Sequence, residues 1–271
     1  MDSDMDWHAA RAALEWQIEA GADEAMLDAP LNRYDLAQPA PAASPAPSAP
    51  DQRPPVPMRP AAPDPGEQLA AAVAEARRLA GSATDLPSLA AAMGAYGHCE
   101  LKLGARNTVF SDGDPAARVM IIGEAPGREE DIRGKPFVGA AGQLLDRMLD
   151  AIGLDRSAGG ADRAVYITNV LPWRPPGNRT PDASEIAMML PFLERHVELA
   201  APDLVVLMGN TPCQAVLGRA GITRIRGTWI EALSRPVLPM FHPAYLLRQP
   251  LAKREAWADL LSLRARLDGA D

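Results

Sequence analysis

The chain reads as an α/β protein whose parallel sheet is covered by helices on both faces, preceded by an extension that stays outside the core. Three observations lead there. Four short apolar runs, at 119–123, 165–170, 204–209 and 237–242, have the continuous hydrophobicity of strands buried on both sides. Helical patterns at 141–152, 184–199, 211–217 and 252–266 follow these runs in alternation, and such alternation builds a parallel sheet. From Gln38 to Pro65, by contrast, the chain holds eleven prolines and almost no large apolar side chain, so burial cannot offset the entropy of ordering it.

Taken in order, residues 1–37 form a short helical segment. From Trp7 to Ala20 the composition is helical, with Trp7, Leu14 and Ile18 on one apolar stripe and aspartates at the start, where a helix dipole favours them. It is a candidate docking helix for a protein partner. Residues 38–66 are expected to be a largely disordered linker, and 67–98 to carry two lead-in helices, at 67–80 and 86–96. The domain proper spans 99–271. Its fourth strand is weakened by Pro239, which has no N–H for the ladder. In a parallel sheet ligands bind beyond the carboxyl ends of the strands. Here those ends carry Gly123-Glu124, Asn169, Gly209-Asn210 and His242.

Charge and cysteine content narrow the function classes. The net charge of −8 sits wholly in the first third: residues 1–91 hold 14 acidic against 6 basic side chains, leaving 21 of each beyond. Arg219 to Arg266 carries nine bases against three acids, either a solvated helix surface or a phosphate-binding face. The start, Met1-Asp2-Ser3-Asp4, has no basic or apolar leader, and no stretch reaches the ~18 apolar residues of a membrane span. A cytoplasmic, monomeric protein with Cys99 and Cys213 as free thiols is expected.

Four segments carry candidate chemistry. Gly123-Glu-Ala-Pro-Gly-Arg-Glu-Glu-Asp131 follows a strand; its backbone N–H groups can face an anion or a carbonyl, or it is a turn whose acids cap a helix. It matches neither the dinucleotide fingerprint nor a phosphate loop. Phe137, within Gly134-Lys-Pro-Phe-Val-Gly, is either a wall that stacks on a flat ligand or a core phenylalanine. Asn169 offers a donor beside an acceptor, which suits the N3–H and O4 edge of uracil; it equally suits a turn cap. His242, in His-Pro-Ala-Tyr-Leu-Leu-Arg248, can donate to charge developing on a leaving group, though a lone histidine is usually structural.

Together, GEAPG with trailing acids, GKPFVG-x-x-GQLL, YITNV-x5-PGNR-x-P and HPAYLLR, in that order, resemble the family-4 branch of the uracil-DNA glycosylase superfamily. The resemblance implies a three-layer α/β/α fold around a four-stranded parallel sheet and a hydrolase releasing uracil from DNA in base excision repair. It further implies that Gly123, Glu124 and Ala125 line the uracil site, Phe137 stacks on the base, Asn169 reads its edge and His242 contacts O2. His242 and Glu124 are the candidate catalytic residues, Glu124 because the position where another branch has a water-activating Asp is Ala125. Arg179, Tyr245, Leu246, Leu247 and Arg248 become candidate DNA contacts, the last four as wedge and phosphate contact around a flipped nucleotide.

The family's four cluster-binding cysteines fall at Tyr96, Cys99, Trp173 and Met189 here. One thiolate cannot hold a [4Fe-4S] cluster, so no metal or other cofactor is expected, with packing in its place. Two other classes fit the sequence: an inactive nucleic-acid-binding relative, and an interaction protein of a repair or polymerase complex.

Overall fold

The structure, a computed structural model, describes residues 64–269; the expected helix at 7–20 and all but the end of the expected linker lie outside the described residues. Helix α1 (Pro65–Ser82) opens with a proline in its first turn, where a missing N–H costs no bond, and buries Ala72, Ala76 and Ala80 along one narrow face. Helix α2 (Leu86–Ala95) is capped by Asp85, whose carboxylate accepts from the Ser88 N–H at 2.8 Å. Then come α3 (Leu101–Gly104), β1 (Asp112–Gly113), β2 (Val119–Gly123), α4 (Arg128–Arg133), α5 (Ala140–Asp150) and β3 (Val165–Asn169). The chain continues through α6 (Ala183–Ala200), β4 (Leu204–Met208), α7 (Asn210–Leu217), α8 (Ile222–Ile225), β5 (Ile230–Ala232), β6 (Arg235–Met240), α9 (Pro243–Arg248) and α10 (Lys253–Leu267).

The sheet order is β1-β3-β2-β4-β6-β5. β3, β2, β4 and β6 run parallel, and these are the four apolar runs of the sequence. β1 and β5 pair antiparallel at the two edges, so the sheet is a mixed one of six strands rather than a parallel one of four. Two or three partly exposed residues carry no hydrophobic period, and only their pairing makes them strands. β6 tolerates Pro239 because this residue's backbone faces away from β4 and lies beyond the pairing with β5, which ends at Val237; its carbonyl takes the Gly227 N–H at 3.0 Å.

Every residue of β2, β3 and β4 is buried, and alternation along each strand hands successive side chains to opposite cores. Met120, Ile122, Val205 and Leu207 face α1, α2 and α6, packing with Leu89, Met93 and Phe192. Ile121, Val206 and Leu238 face the other way, onto Leu145 and Leu149 of α5 and Leu260 and Leu263 of α10. α1 and α2 thus belong to the core of the domain: α1 lies along α6, and Arg195 of α6 donates to the Ala83 carbonyl at 2.8 and 3.1 Å. No helix among the described residues is long and apolar enough to cross a membrane. Cys99 and Cys213 are buried free thiols, and burial pushes them up to about 11 and about 12, which keeps them protonated and unreactive.

Candidate active site

The carboxyl ends of the four parallel strands open into one cleft of about 600 Å³. Its floor is set by register. Gly123 at the end of β2 pairs directly with Asn169 at the end of β3. A Cβ on Gly123 would stand 2.4 Å from Asn169 Oδ1 and 2.5 Å from the Phe137 ring, so only glycine lets the amide and the ring meet over this strand. Asn169 is buried, lines the cleft, and its amide has no hydrogen-bond partner among the described residues. Its donor and acceptor open onto the cleft, free to meet a ligand that offers the complementary pair.

The turn after β2 supplies backbone donors. Gly127 spends its N–H on Glu130 at 3.1 Å and Pro126 has none, whereas the Ala125 N–H has no internal partner among the described residues. Glu124 reaches across to the first turn of α7, where the Thr211 hydroxyl donates to its carboxylate at 2.5 Å. That bond fixes Glu124 as an acceptor in the cleft wall.

Phe137 is nearly fully buried, with its ring stacked on the His242 imidazole at 5.4 Å between centroids and 29° between planes. Its backbone lies at φ 53°, a left-handed conformation unfavourable for a bulky residue. The loop holding it is bonded from two sides: Glu130 accepts the Val138 and Gly139 N–H groups at 2.9 and 2.7 Å, and Arg156 donates to the Pro136 and Phe137 carbonyls, both at 2.9 Å.

His242 caps α9. Its Nδ1 accepts from the Ala244 N–H at 3.1 Å, which leaves the proton of the neutral ring on Nε2. Burial, reinforced by the positive charge of Arg248, pulls it down to about 4, so the ring is neutral at physiological pH.

These groups point to one family. The profile of the Uracil DNA glycosylase superfamily matches residues 110–261. The chain belongs to the uracil-DNA glycosylase superfamily. It is 41% identical over 153 residues to the type-4 uracil-DNA glycosylase of Thermotoga maritima, spanning 55% of this chain and 77% of that protein. It is 36% identical over 176 residues to the type-4 enzyme of Sulfurisphaera tokodaii (61% and 77%) and 38% over 170 residues to that of Archaeoglobus fulgidus (59% and 82%).

Within this superfamily member, Gly123, Glu124, Ala125, Phe137, Asn169 and His242 converge on the strand ends, and Glu124, Ala125, Phe137, Asn169 and His242 line the cleft itself. Tyr245, Arg248 and Arg179 line its rim, and Leu247 is exposed beside them. Leu246 departs from expectation: it is completely buried, packed with Leu144, Phe241 and Ala256, because the turn of α9 that lifts Leu247 outward turns Leu246 into the core. It anchors the helix against the core rather than facing solvent. Arg179 is half-exposed but already paired bidentately with the buried Glu185 at 2.5 and 2.9 Å. Thr211 and Arg156 were missed, whereas Glu130 lies in the acidic run read as capping a helix and does cap α4, accepting the Gly127 N–H. Thr211 follows the strand-end pair Gly209-Asn210 and was in reach; Arg156 acts through backbone carbonyls, which no side-chain pattern announces.

The positions that would ligate a [4Fe-4S] cluster do not fit one. Tyr96, Cys99, Trp173 and Met189 all lie, buried, in a single hydrophobic cluster. The Tyr96 hydroxyl donates to the Ala72 carbonyl at 2.9 Å and its ring meets Phe192 edge-on at 5.4 Å; the Trp173 indole donates to Thr108 at 3.1 Å. One protonated thiol and three side chains with no thiolate are not a ligand set for iron and sulfide.

Proposed function

We propose that the cleft hydrolyses the N-glycosidic bond of uracil in DNA, as the first step of base excision repair, on a nucleotide flipped out of the duplex. The single observation that carries this reading is the unpartnered Asn169 amide facing the Phe137 ring and a neutral His242. Asn169 pairs with the N3–H and O4 of uracil, while cytosine presents the opposite donor and acceptor. Phe137 stacks on the base. As the C1′–N1 bond breaks, its electron pair passes to the uracil ring, and charge builds on O2. The Nε2–H of His242 and the Ala125 N–H receive that charge, each such donor contributing on the order of 3 kcal/mol. Water adds at C1′, oriented by Glu124, which Thr211 holds, and it loses a proton that the departed uracil anion takes up through solvent.

Tyr245 and Leu247 fill the gap left by the nucleotide, offsetting part of the few kcal/mol that flipping costs, and Arg248 and Arg179 meet phosphates. The enzyme works without iron, its former cluster region held by packing. It acts as a monomer in the cytoplasm, and residues 1–37 serve a protein partner rather than catalysis.

Base release from a labelled single-uracil oligonucleotide tests this, with H242A, E124Q and an iron assay alongside. Release that falls at least 100-fold in H242A, on the order of one such donor, and iron-free protein are expected. Tight binding without release would mean an inactive relative.

A further inference from the structure

The Phe137 wall is held from behind by a residue that never enters the cleft. Arg156 lies in the loop before β3, largely buried, and its guanidinium reaches four groups. It donates to the Pro136 and Phe137 carbonyls at 2.9 Å, to Asp146 of α5 at 2.7 Å, and lies 3.4 Å from Asp112 of β1. The Phe137 carbonyl is also closed in from α5: a Cβ on Gly142 would stand 1.8 Å from it, so the helix can approach only where there is no side chain. The left-handed φ of 53° persists only if its surroundings enforce it. A planar fork can serve two successive carbonyls while two carboxylates fix its own orientation; an ammonium, a point donor, cannot.

We propose that Arg156 is a positioning residue that sets the plane of the Phe137 ring in the base slot through the backbone carbonyls of residues 136 and 137. This rests on the reading of Phe137 as the base-stacking wall, so the test must separate the two. Asp112 and Asp146 neutralise the guanidinium, which explains why a cation is retained behind an apolar wall. Lys135 also reaches Asp112, at 2.9 Å, so the aspartate is shared but the carbonyls are not.

The chain has four phenylalanines, Phe110, Phe137, Phe192 and Phe241, so labelling with 4-fluorophenylalanine gives four ¹⁹F resonances. R156K keeps the buried charge and should fold. Its expected signature is a displaced Phe137 resonance with Phe110 and Phe192 unmoved, and single-turnover uracil release reduced about 10- to 100-fold with oligonucleotide binding unchanged. In an F137A background R156K should cost less than about twofold more, because the group it acts through is gone. An unmoved Phe137 resonance, movement of all four, or an additive loss in the double variant overturns the proposal. A ring that moves without loss of release overturns its importance to catalysis. Failure of the wild-type protein to release uracil would instead sink the reading of the cleft, and the ¹⁹F result would still decide the positioning of the ring.

Discussion

At the scale of single residues, the proposed function puts selectivity on Asn169 and rate on His242, and the two separate by experiment. N169D replaces the amide by a carboxylate that accepts but cannot donate, and it places a negative charge against the O4 edge of uracil. Preference for uracil over cytosine should fall by about two orders of magnitude, the effect of leaving buried polar groups mismatched. Competing release from uracil- and cytosine-containing oligonucleotides measures this, and unchanged discrimination would remove Asn169 from its role. That Asn169 and His242 line the cleft was legible because each ends an apolar run, and the cleft of such a sheet opens at the carboxyl ends of its strands. Leu246 was misread because adjacency in sequence does not tell which way each side chain leaves a six-residue helix. Arg156 was illegible because its partners are carbonyls, present at every residue.

At the scale of elements, the four parallel strands and their crossover helices were written in hydrophobic pattern, and the edge strands were not. Nor did the sequence reveal that α1 and α2 complete the core. Their buried residues are mostly small: Ala72, Ala76, Ala80, Leu89 and Met93, which give a weak amphipathic signal but a close approach to α6. Two truncations distinguish an appendage from a core element. Removing residues 1–63 should leave melting temperature and uracil release unchanged. Removing residues 1–98 strips Tyr96 from the buried cluster, uncovers Phe192 and takes away the Ala83 carbonyl that Arg195 holds, so that variant should fail to fold cooperatively in a thermal melt. An active, folded product of the second truncation would make the two helices dispensable.

At the scale of the whole molecule, two neutral histidines, His196 buried in the core and His242 half-buried in the cleft wall, set how the fold meets acid. His196 of α6 is fully buried, stacked on Phe110 at 4.3 Å and hydrogen-bonded to the Tyr166 hydroxyl at 2.9 Å; burial pulls it down to about 3. His242 is pulled to about 4. In the unfolded chain both titrate near 6.5. Below that pH the unfolded state binds protons that the folded state refuses, so stability falls as pH drops from about 6.5 toward 4, by up to about 1.4 kcal/mol per pH unit for each histidine. Asp259 opposes this: burial raises its carboxyl despite its pairing with Arg226, so the folded state holds that proton more tightly and gains stability as pH falls. The carboxylates that Ser157, Ser184 and Glu185 hold low, Asp155 and Asp182, withdraw their contribution only at lower pH still. Between pH 6.5 and 4 the histidines therefore dominate. H196Q keeps a partner for Tyr166 and removes one titration, so its slope of unfolding free energy against pH, from denaturant melts, should be smaller by about one proton across that window. An unchanged slope would show that His196 already takes up its proton in the folded state.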